Sequence, residues 1–245
     1  MYRRYIPVMS PAILAALTPP DFEISFSDER VRPVDVDEPC DIVAISVKTP
    51  QANRAYDLAR QYRERGVPVV MGGVHASLMP EEALQYADAV VIGEAEGTWP
   101  QVMEDFRKGK LQREYRCGYI SDRLPAPRWD IYDKNVYVPM NSVQVARGCP
   151  VNCDMCSVPR TFGTQFRLFD LDDILQQIEL LERYVFVIND NLHLAKRRVR
   201  PFLDGMAGMD RQWVGMAPLS FAKDDDYLKL LARSNCWAMY IDLSP

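Results

Sequence analysis

Short unbroken apolar runs alternate along the chain with longer stretches whose apolar positions recur at helical spacing. Runs of the first kind read as buried strands and stretches of the second as amphipathic helices. In the first half, "DFEISFSDERV" (21–31), "DIVAISVKT" (41–49), "VPVVMGG" (67–73) and "DAVVIGEAEG" (88–97) are predicted strands. Between them "MSPAILAALTPP" (9–20), "QANRAYDLARQYRERG" (51–66), "PEEALQYA" (80–87) and "TWPQVMEDFRKGK" (98–110) are predicted helices. Gly66 supplies a helix stop, and Pro80 with Glu81 and Glu82 a helix start. No convincing strand precedes the first helix, so the sheet is expected to be one strand short or to lack its first strand.

Strands that alternate with helices imply βαβ units around a parallel sheet. Near-continuous apolar strands imply cover on both faces. Residues 1–108 are therefore expected to form a doubly wound parallel α/β layer. Residues 109–141 lack clear periodicity and are rich in Gly, Pro and aromatic residues. They are expected to be an ordered connection, because Trp129, Tyr132 and Tyr137 call for burial.

The alternation resumes over residues 142–245. "SVQVA" (142–146), "VFVIND" (185–190), "WVGMAPLS" (213–220) and "WAMYIDL" (237–243) are predicted strands. "LDDILQQIELLERY" (171–184), capped by Asp170, then "KRRVRPFLDGM" and "KDDDYLKLLARSN" are predicted helices. Four strands and three helices in this order are how a (β/α) barrel begins, and chemistry in such a barrel sits at the carboxyl ends of the strands.

Ligands of open α/β sheets also sit at carboxyl ends. In the first half those ends carry Ser46, Thr49, Gly72, Gly73, His75, Gly93 and Glu94. Paired glycines let a backbone run close to a flat ligand, although a tight turn uses them equally well. His75 taken alone also fits a plain loop residue. In the second half the strand ends carry Asn189-Asp190-Asn191, Pro218-Leu219-Ser220 and Asp242-Leu243-Ser244.

Directly after the strand at 142–146 comes "RGCPVNCDMC", which sets Cys149, Cys153 and Cys156 in a Cys-x3-Cys-x2-Cys pattern. The other cysteines (Cys40, Cys117, Cys236) are scattered, which argues against a disulfide framework and for metal or redox chemistry. Thiolates favour zinc, copper(I) or iron-sulfur clusters. Structural zinc needs four ligands, and no second Cys or His pair is present to complete the set. A 4Fe-4S cluster on three thiolates keeps one iron open to a small molecule. Two other readings stay open: an iron-sulfur or zinc module without catalysis, its fourth ligand Cys117, Cys236 or His193, and a bare α/β scaffold with inert cysteines.

Composition narrows the function classes. The net charge is −5 over 245 residues, which excludes broad binding to a nucleic-acid backbone. Lys196-Arg197-Arg198-Val199-Arg200 reads as a solvated helix face. No apolar run approaches the roughly 20 residues that cross a bilayer, and the N-terminus lacks a signal-peptide core, so a cytoplasmic location is expected.

The cysteine motif, with Met155 in its hydrophobic position and βα units after it, resembles the radical S-adenosylmethionine (radical SAM) enzymes. "GGVHASLMPEEALQYADAVVIGEAEGTWP" resembles the cobalamin-binding domain that precedes the barrel in one class of them. The fold implied is an N-terminal cobalamin-binding-like parallel sheet (1–108), a connection (109–141) and a partial radical SAM (β/α) barrel (142–245). The resemblance implies that Cys149, Cys153 and Cys156 ligate a 4Fe-4S cluster whose fourth iron chelates SAM. One-electron reduction would release a 5'-deoxyadenosyl radical that abstracts hydrogen from an unactivated carbon, and cobalamin would serve C-methylation. Asn189, Asp190, Asn191 and Ser220 stand where the SAM site would be, and the seven residues at the first sheet's carboxyl ends where cobalamin would be. An Asn189 or Asp190 that merely caps a helix remains an alternative. No Asp-x-His-x-x-Gly motif, whose histidine binds cobalt in many cobalamin domains, is present. The expected partners are a small-molecule substrate and a reductant such as flavodoxin or ferredoxin. Family barrels usually hold six βα units, so a chain ending after four strands is expected to be a fragment, a truncated product or part of an oligomer.

Overall fold

The computed structural model describes residues 5–118 and 122–242, with the backbone alone at Asp242. Contacts divide the chain into two compact units, Ser10–Ile120 and Met1–Met9 with Ser121–Pro245.

The unit Ser10–Ile120 runs α1 (Met9–Leu17), β1 (Val43–Ser46), α2 (Ala52–Glu64), β2 (Val69–Gly72), α3 (Val74–Leu78), α4 (Pro80–Ala83), β3 (Ala89–Ile92), α5 (Trp99–Arg107) and β4 (Glu114–Arg116). The sheet order is β1-β2-β3-β4, every pair parallel. Successive residues of a strand face opposite ways. Accordingly, Val69 and Met71 join one core cluster with Ala52, Ala55, Tyr56, Ala59 and Tyr62 of α2. Val70 joins another with Trp99, Val102 and Met103 of α5, against which Leu14 and Leu17 of α1 pack. Helices thus cover both faces, as the continuous apolar strands required.

Two expectations in this region fail. Residues 21–31 form no strand. Phe22 instead packs on the α5 cluster beneath Arg107, while the chain turns at Val31 N–H to Asp28 O. Inside the expected connection lies β4, whose only apolar residue is the buried Tyr115 between exposed Glu114 and Arg116. Its phenol donates to Asp105 Oδ2 at 2.9 Å, a tie that needs no hydrophobic run.

The second unit adds β5 (Met140–Gln144), β6 (Ala146–Arg147), α6 (Val158–Phe162), β7 (Arg167–Leu168), α7 (Leu171–Glu179), β8 (Tyr184–Ile188), α8 (Arg200–Ala207), β9 (Gln212–Pro218), α9 (Asp225–Arg233) and β10 (Cys236–Asp242). Its main sheet is ordered β10-β9-β8-β5, all parallel, with a helix between successive strands from β8 onward. Asp170 caps α7 by accepting from the Asp172 and Asp173 N–H groups. The aromatic residues before β5 are anchored: Tyr132 and Tyr137 are buried, edge to face, at 4.7 Å between ring centroids. A feature the periodicity did not reveal is the antiparallel β6–β7 ribbon, with Ala146 opposite Leu168 and Arg147 opposite Arg167. The cysteine segment is the loop of that ribbon. Among the described residues β10 pairs only with β9, and Trp237 and Tyr240 on it are 67% and 64% exposed. No helix of the described residues is long and apolar enough to cross a membrane.

Candidate functional site

At the carboxyl edge of the first sheet, Ser46, Thr49, Gly72, Gly73 and His75 are drawn together by backbone geometry. Val47 N–H donates to Gly72 O at 2.9 Å, and His75 N–H to Val47 O at 3.0 Å. Gly73 has φ +92°, and a Cβ there would stand 2.9 Å from the Val47 backbone and 3.2 Å from Ser46 Oγ. Only glycine allows that approach. Ser77 Oγ donates to Gly73 O at 2.8 Å and accepts the Gly93 N–H at 2.9 Å, which links the β2 and β3 ends. Ser46 and Thr49 remain exposed on this ledge, while Glu94 is buried.

His75 is buried in a polar chain rather than presented to the surface. Its Nε2 lies 2.7 Å from Tyr56 Oη, and its Nδ1 lies 3.3 Å from Thr49 Oγ1. Tyr56 donates to Glu82 Oε1 at 3.0 Å. A phenol has one proton, so Tyr56 accepts from His75 Nε2–H, leaving Nδ1 to accept from Thr49 in the neutral ring. Burial and the Glu82 carboxylate push the Tyr56 phenol well above its ordinary pKa, so it stays a donor. Sequence reading missed Tyr56 and Glu82. Both lie on helix faces whose periodicity looked purely structural.

In the second unit the cysteine loop leaves the sheet through Arg147 and Gly148. Arg147 is buried, with its guanidinium 5.1 Å from the Phe162 ring centre and 5.4 Å from that of Phe169. Its Nη2 donates to Gln144 Oε1 at 2.6 Å. A buried arginine inside the apolar run "SVQVARG" was the available signal for a built loop base. Gly148 has φ +88°, and a Cβ there would stand 2.3 Å from Gln165 O. Cys149 N–H then donates to Gly163 O at 3.2 Å.

Cys149 is buried, Cys156 half-buried and Cys153 exposed. Cys156 N–H donates to Cys153 O at 3.1 Å, which folds the loop back on itself. Burial raises the Cys149 thiol pKa first; Val151 N–H opposes it, and the charges of Asp190, Cys156 and Cys153 raise it further. A buried thiol whose ionisation is opposed by burial and by neighbouring negative charge needs a positive centre to become a thiolate. The donor chemistry therefore fits a soft, cationic metal centre. The sulfurs share one loop without converging on a point: among the described residues no three His, Cys, Asp or Glu side chains are grouped to hold an ion.

The alternative fourth ligands lie on other elements. Cys236 opens β10, at the amino edge of a parallel sheet whose carboxyl edge carries the cysteine loop. Burial pushes its thiol up to about 11. His193 Nε2 lies 3.2 Å from Asp224 Oδ2 and its ring leans on that of Tyr227, while its buried Nδ1 has no hydrogen-bond partner. Cys117 directly follows β4 of the first sheet.

The residues expected near SAM separate in role. Asn189 is buried, its Nδ2 donating to Val187 O at 3.2 Å and its Oδ1 accepting from Leu192 N–H at 3.1 Å. Asn191 caps the following turn by accepting from Leu194 N–H at 3.4 Å. Asp190 Oδ2 accepts the Gly148 N–H at 2.6 Å. Ser220 is exposed in the turn after β9. Leu243 and Ser244 lie outside the described residues, as does the Asp242 side chain.

Residues 15–103 match the B12 binding domain family. The chain is 30% identical to a bacteriochlorophyllide d C-8(2)-methyltransferase of Chlorobaculum tepidum, over 93% of this chain and 55% of that protein. It is 22% identical to a hopanoid C-2 methylase of Rhodopseudomonas palustris, over 98% of this chain and 49% of that one. The chain thus spans about half the length of these curated relatives. Its fold is that of the radical S-adenosylmethionine methyltransferase TsrM of Kitasatospora setae, solved with cobalamin and a [4Fe-4S] cluster, with TM-score 0.66, 14% identity, and 85% of this chain covering 50% of that chain. The chain thus contains a B12-binding-domain match, is similar along most of its length to curated methyltransferases, and shares the fold of a radical SAM methyltransferase.

Proposed function

We propose that this chain is the cofactor-binding part of a cobalamin-dependent radical SAM C-methyltransferase acting on a small molecule. The observation that carries the reading is the Cys149-x3-Cys153-x2-Cys156 loop at the carboxyl end of a βα sheet, in a chain that also carries a B12-binding domain. Cys149, Cys153 and Cys156 are the proposed cluster ligands. Ser46, Thr49, Gly72, Gly73 and Gly93 form the proposed cobalamin ledge, with His75 and Glu94 buried behind it. Cys149, Cys153 and Cys156 would hold a cluster that supplies an electron for reductive cleavage of SAM, and a cobalamin on the ledge would supply the methyl group.

The chain's own residues do the positioning. Gly148 permits the sharp exit from β6, and the Arg147 stack fixes its base. Exposed Met155 and Val151 crown the loop and present an apolar rim. On the first sheet Gly73 keeps the β1 and β2 ends within backbone contact, and a broad planar ligand would lie over that edge. A reductant of the flavodoxin or ferredoxin type would deliver the electron at the exposed side of the loop, and such partners match a cytoplasmic location.

The test is anaerobic reconstitution with iron and sulfide, followed by a reductant and SAM. The reading expects 5'-deoxyadenosine from the wild-type protein and none from Cys153→Ala. It also expects hydroxocobalamin to bind the metal-free protein with a change in its visible spectrum. A protein that takes up only zinc and leaves SAM intact contradicts it.

A further inference from the structure

Asp190 follows β8, and β8 is the direct neighbour of β5, from whose carboxyl end the cysteine loop departs. Its Oδ2 accepts the N–H of Gly148, the residue before Cys149, at 2.6 Å. We infer that Asp190 is a positioning residue for the cysteine loop, a clasp between two strand ends, and not the acceptor for the SAM ammonium group. The inference rests on the reading that this loop holds a cluster.

The loop base is fixed at each of three successive residues. The Arg147 guanidinium is held by Gln144 and flanked by the Phe162 and Phe169 rings. Gly148 is bound to Asp190, and its positive φ places its Cα against the Gln165 carbonyl. Cys149 N–H reaches Gly163 O. Gln144, Phe162, Gly163, Gln165 and Phe169 all come from β5 or from the β6–β7 ribbon and its loop and ends. Asp190 ties Gly148 to the segment after β8, next to the backbone bond from Val145 N–H to Ile188 O at 3.2 Å that holds the start of the ribbon. Without Asp190 the ribbon keeps the Val145 bond but loses the tie at Gly148, and Cys149, the most buried of the three cysteines, is the next residue along.

The two roles demand different chemistry from the same side chain. A peptide N–H is a neutral donor, and any acceptor of matching shape satisfies it. An ammonium group needs the negative charge. Asp190→Asn keeps an acceptor oxygen and removes the charge, whereas Asp190→Ala removes both.

The experiment compares wild type, Asp190→Asn and Asp190→Ala after identical anaerobic reconstitution of the full chain. Iron per chain, the rate of iron loss to a chelator and the SAM-induced change in the reduced cluster's paramagnetic spectrum are read. Hydrogen exchange of the Gly148 amide is read on the metal-free protein. The clasp predicts roughly tenfold faster iron loss and faster Gly148 exchange in Asp190→Ala, with near wild-type values and an intact SAM response in Asp190→Asn. Asp190→Asn losing the SAM response while keeping its iron overturns the inference, as does Asp190→Ala behaving like wild type. Wild type that binds no iron defeats the cluster reading instead, and Gly148 exchange then still decides whether Asp190 holds the loop.

Discussion

At the residue scale the three motif cysteines are chemically unequal. Cys149 is buried at the loop base and its ionisation is opposed by burial, while Cys153 is exposed. Replacing Cys149, Cys153 or Cys156 by Ala is expected to abolish the cluster's visible absorption after reconstitution, and Cys117→Ala or Cys236→Ala to leave it unchanged. Absorption spectra with iron counts check this. Asp224 offers a pH test. Its carboxyl is held down to about 2, first by the Lys196 ammonium and then by the Tyr227 N–H it caps. A depressed folded-state pKa gives stability that is complete above the ordinary carboxylate value and lost as pH falls toward 2. Asp224→Ala should melt about 3 °C lower than wild type at pH 7, with the gap closing by pH 2. Thermal scans across that range measure it, and a gap independent of pH would contradict the assignment.

At the element scale, what the sequence made legible follows from hydrophobic runs. β1, β2, β3, β8, β9 and β10 overlie the apolar segments that predict them, because buried strands in parallel sheets need apolar residues on both faces, while β5 (Met140–Gln144) begins two residues before its expected 142–146 and Ala146 opens β6 instead. The elements that escaped notice lack such runs. β4 holds one buried tyrosine between charges, and β6 and β7 are two residues each. The reverse error at 21–31 has the same root: alternation without a neighbouring strand to pair with anchors rings such as Phe22 without forming a ladder. Candidate-site chemistry was legible as residue types, since the cysteine spacing and the paired glycines are visible in one dimension. The contacts that fix them were not, because Asp190 meets Gly148 across 42 positions and Tyr56 meets His75 across 19. In β9, Trp213 is fully buried, packed against Phe202 at 6.1 Å between ring centroids and donating to Ser234 O at 2.8 Å. Trp213→Ala should cost about 4 kcal/mol in denaturant unfolding, as large-to-small core changes do. A change below about 1 kcal/mol would show that this sheet's core is not built around it.

At the scale of the whole molecule, each unit has its own parallel sheet, and the two proposed cofactors fall to different units. Cobalamin uptake is therefore expected to survive loss of the cluster: a titration of Cys149→Ala should match wild type, whereas Gly73→Val, which drives a side chain into the Val47 backbone, should weaken it. In the other unit, three thiols on one loop would leave a cluster one protein ligand short. The paramagnetic spectrum of the reduced, reconstituted protein with and without SAM tests it most directly. A shifted signal on adding SAM, absent in Cys156→Ala, is the predicted result; a cluster whose spectrum ignores SAM would contradict the account.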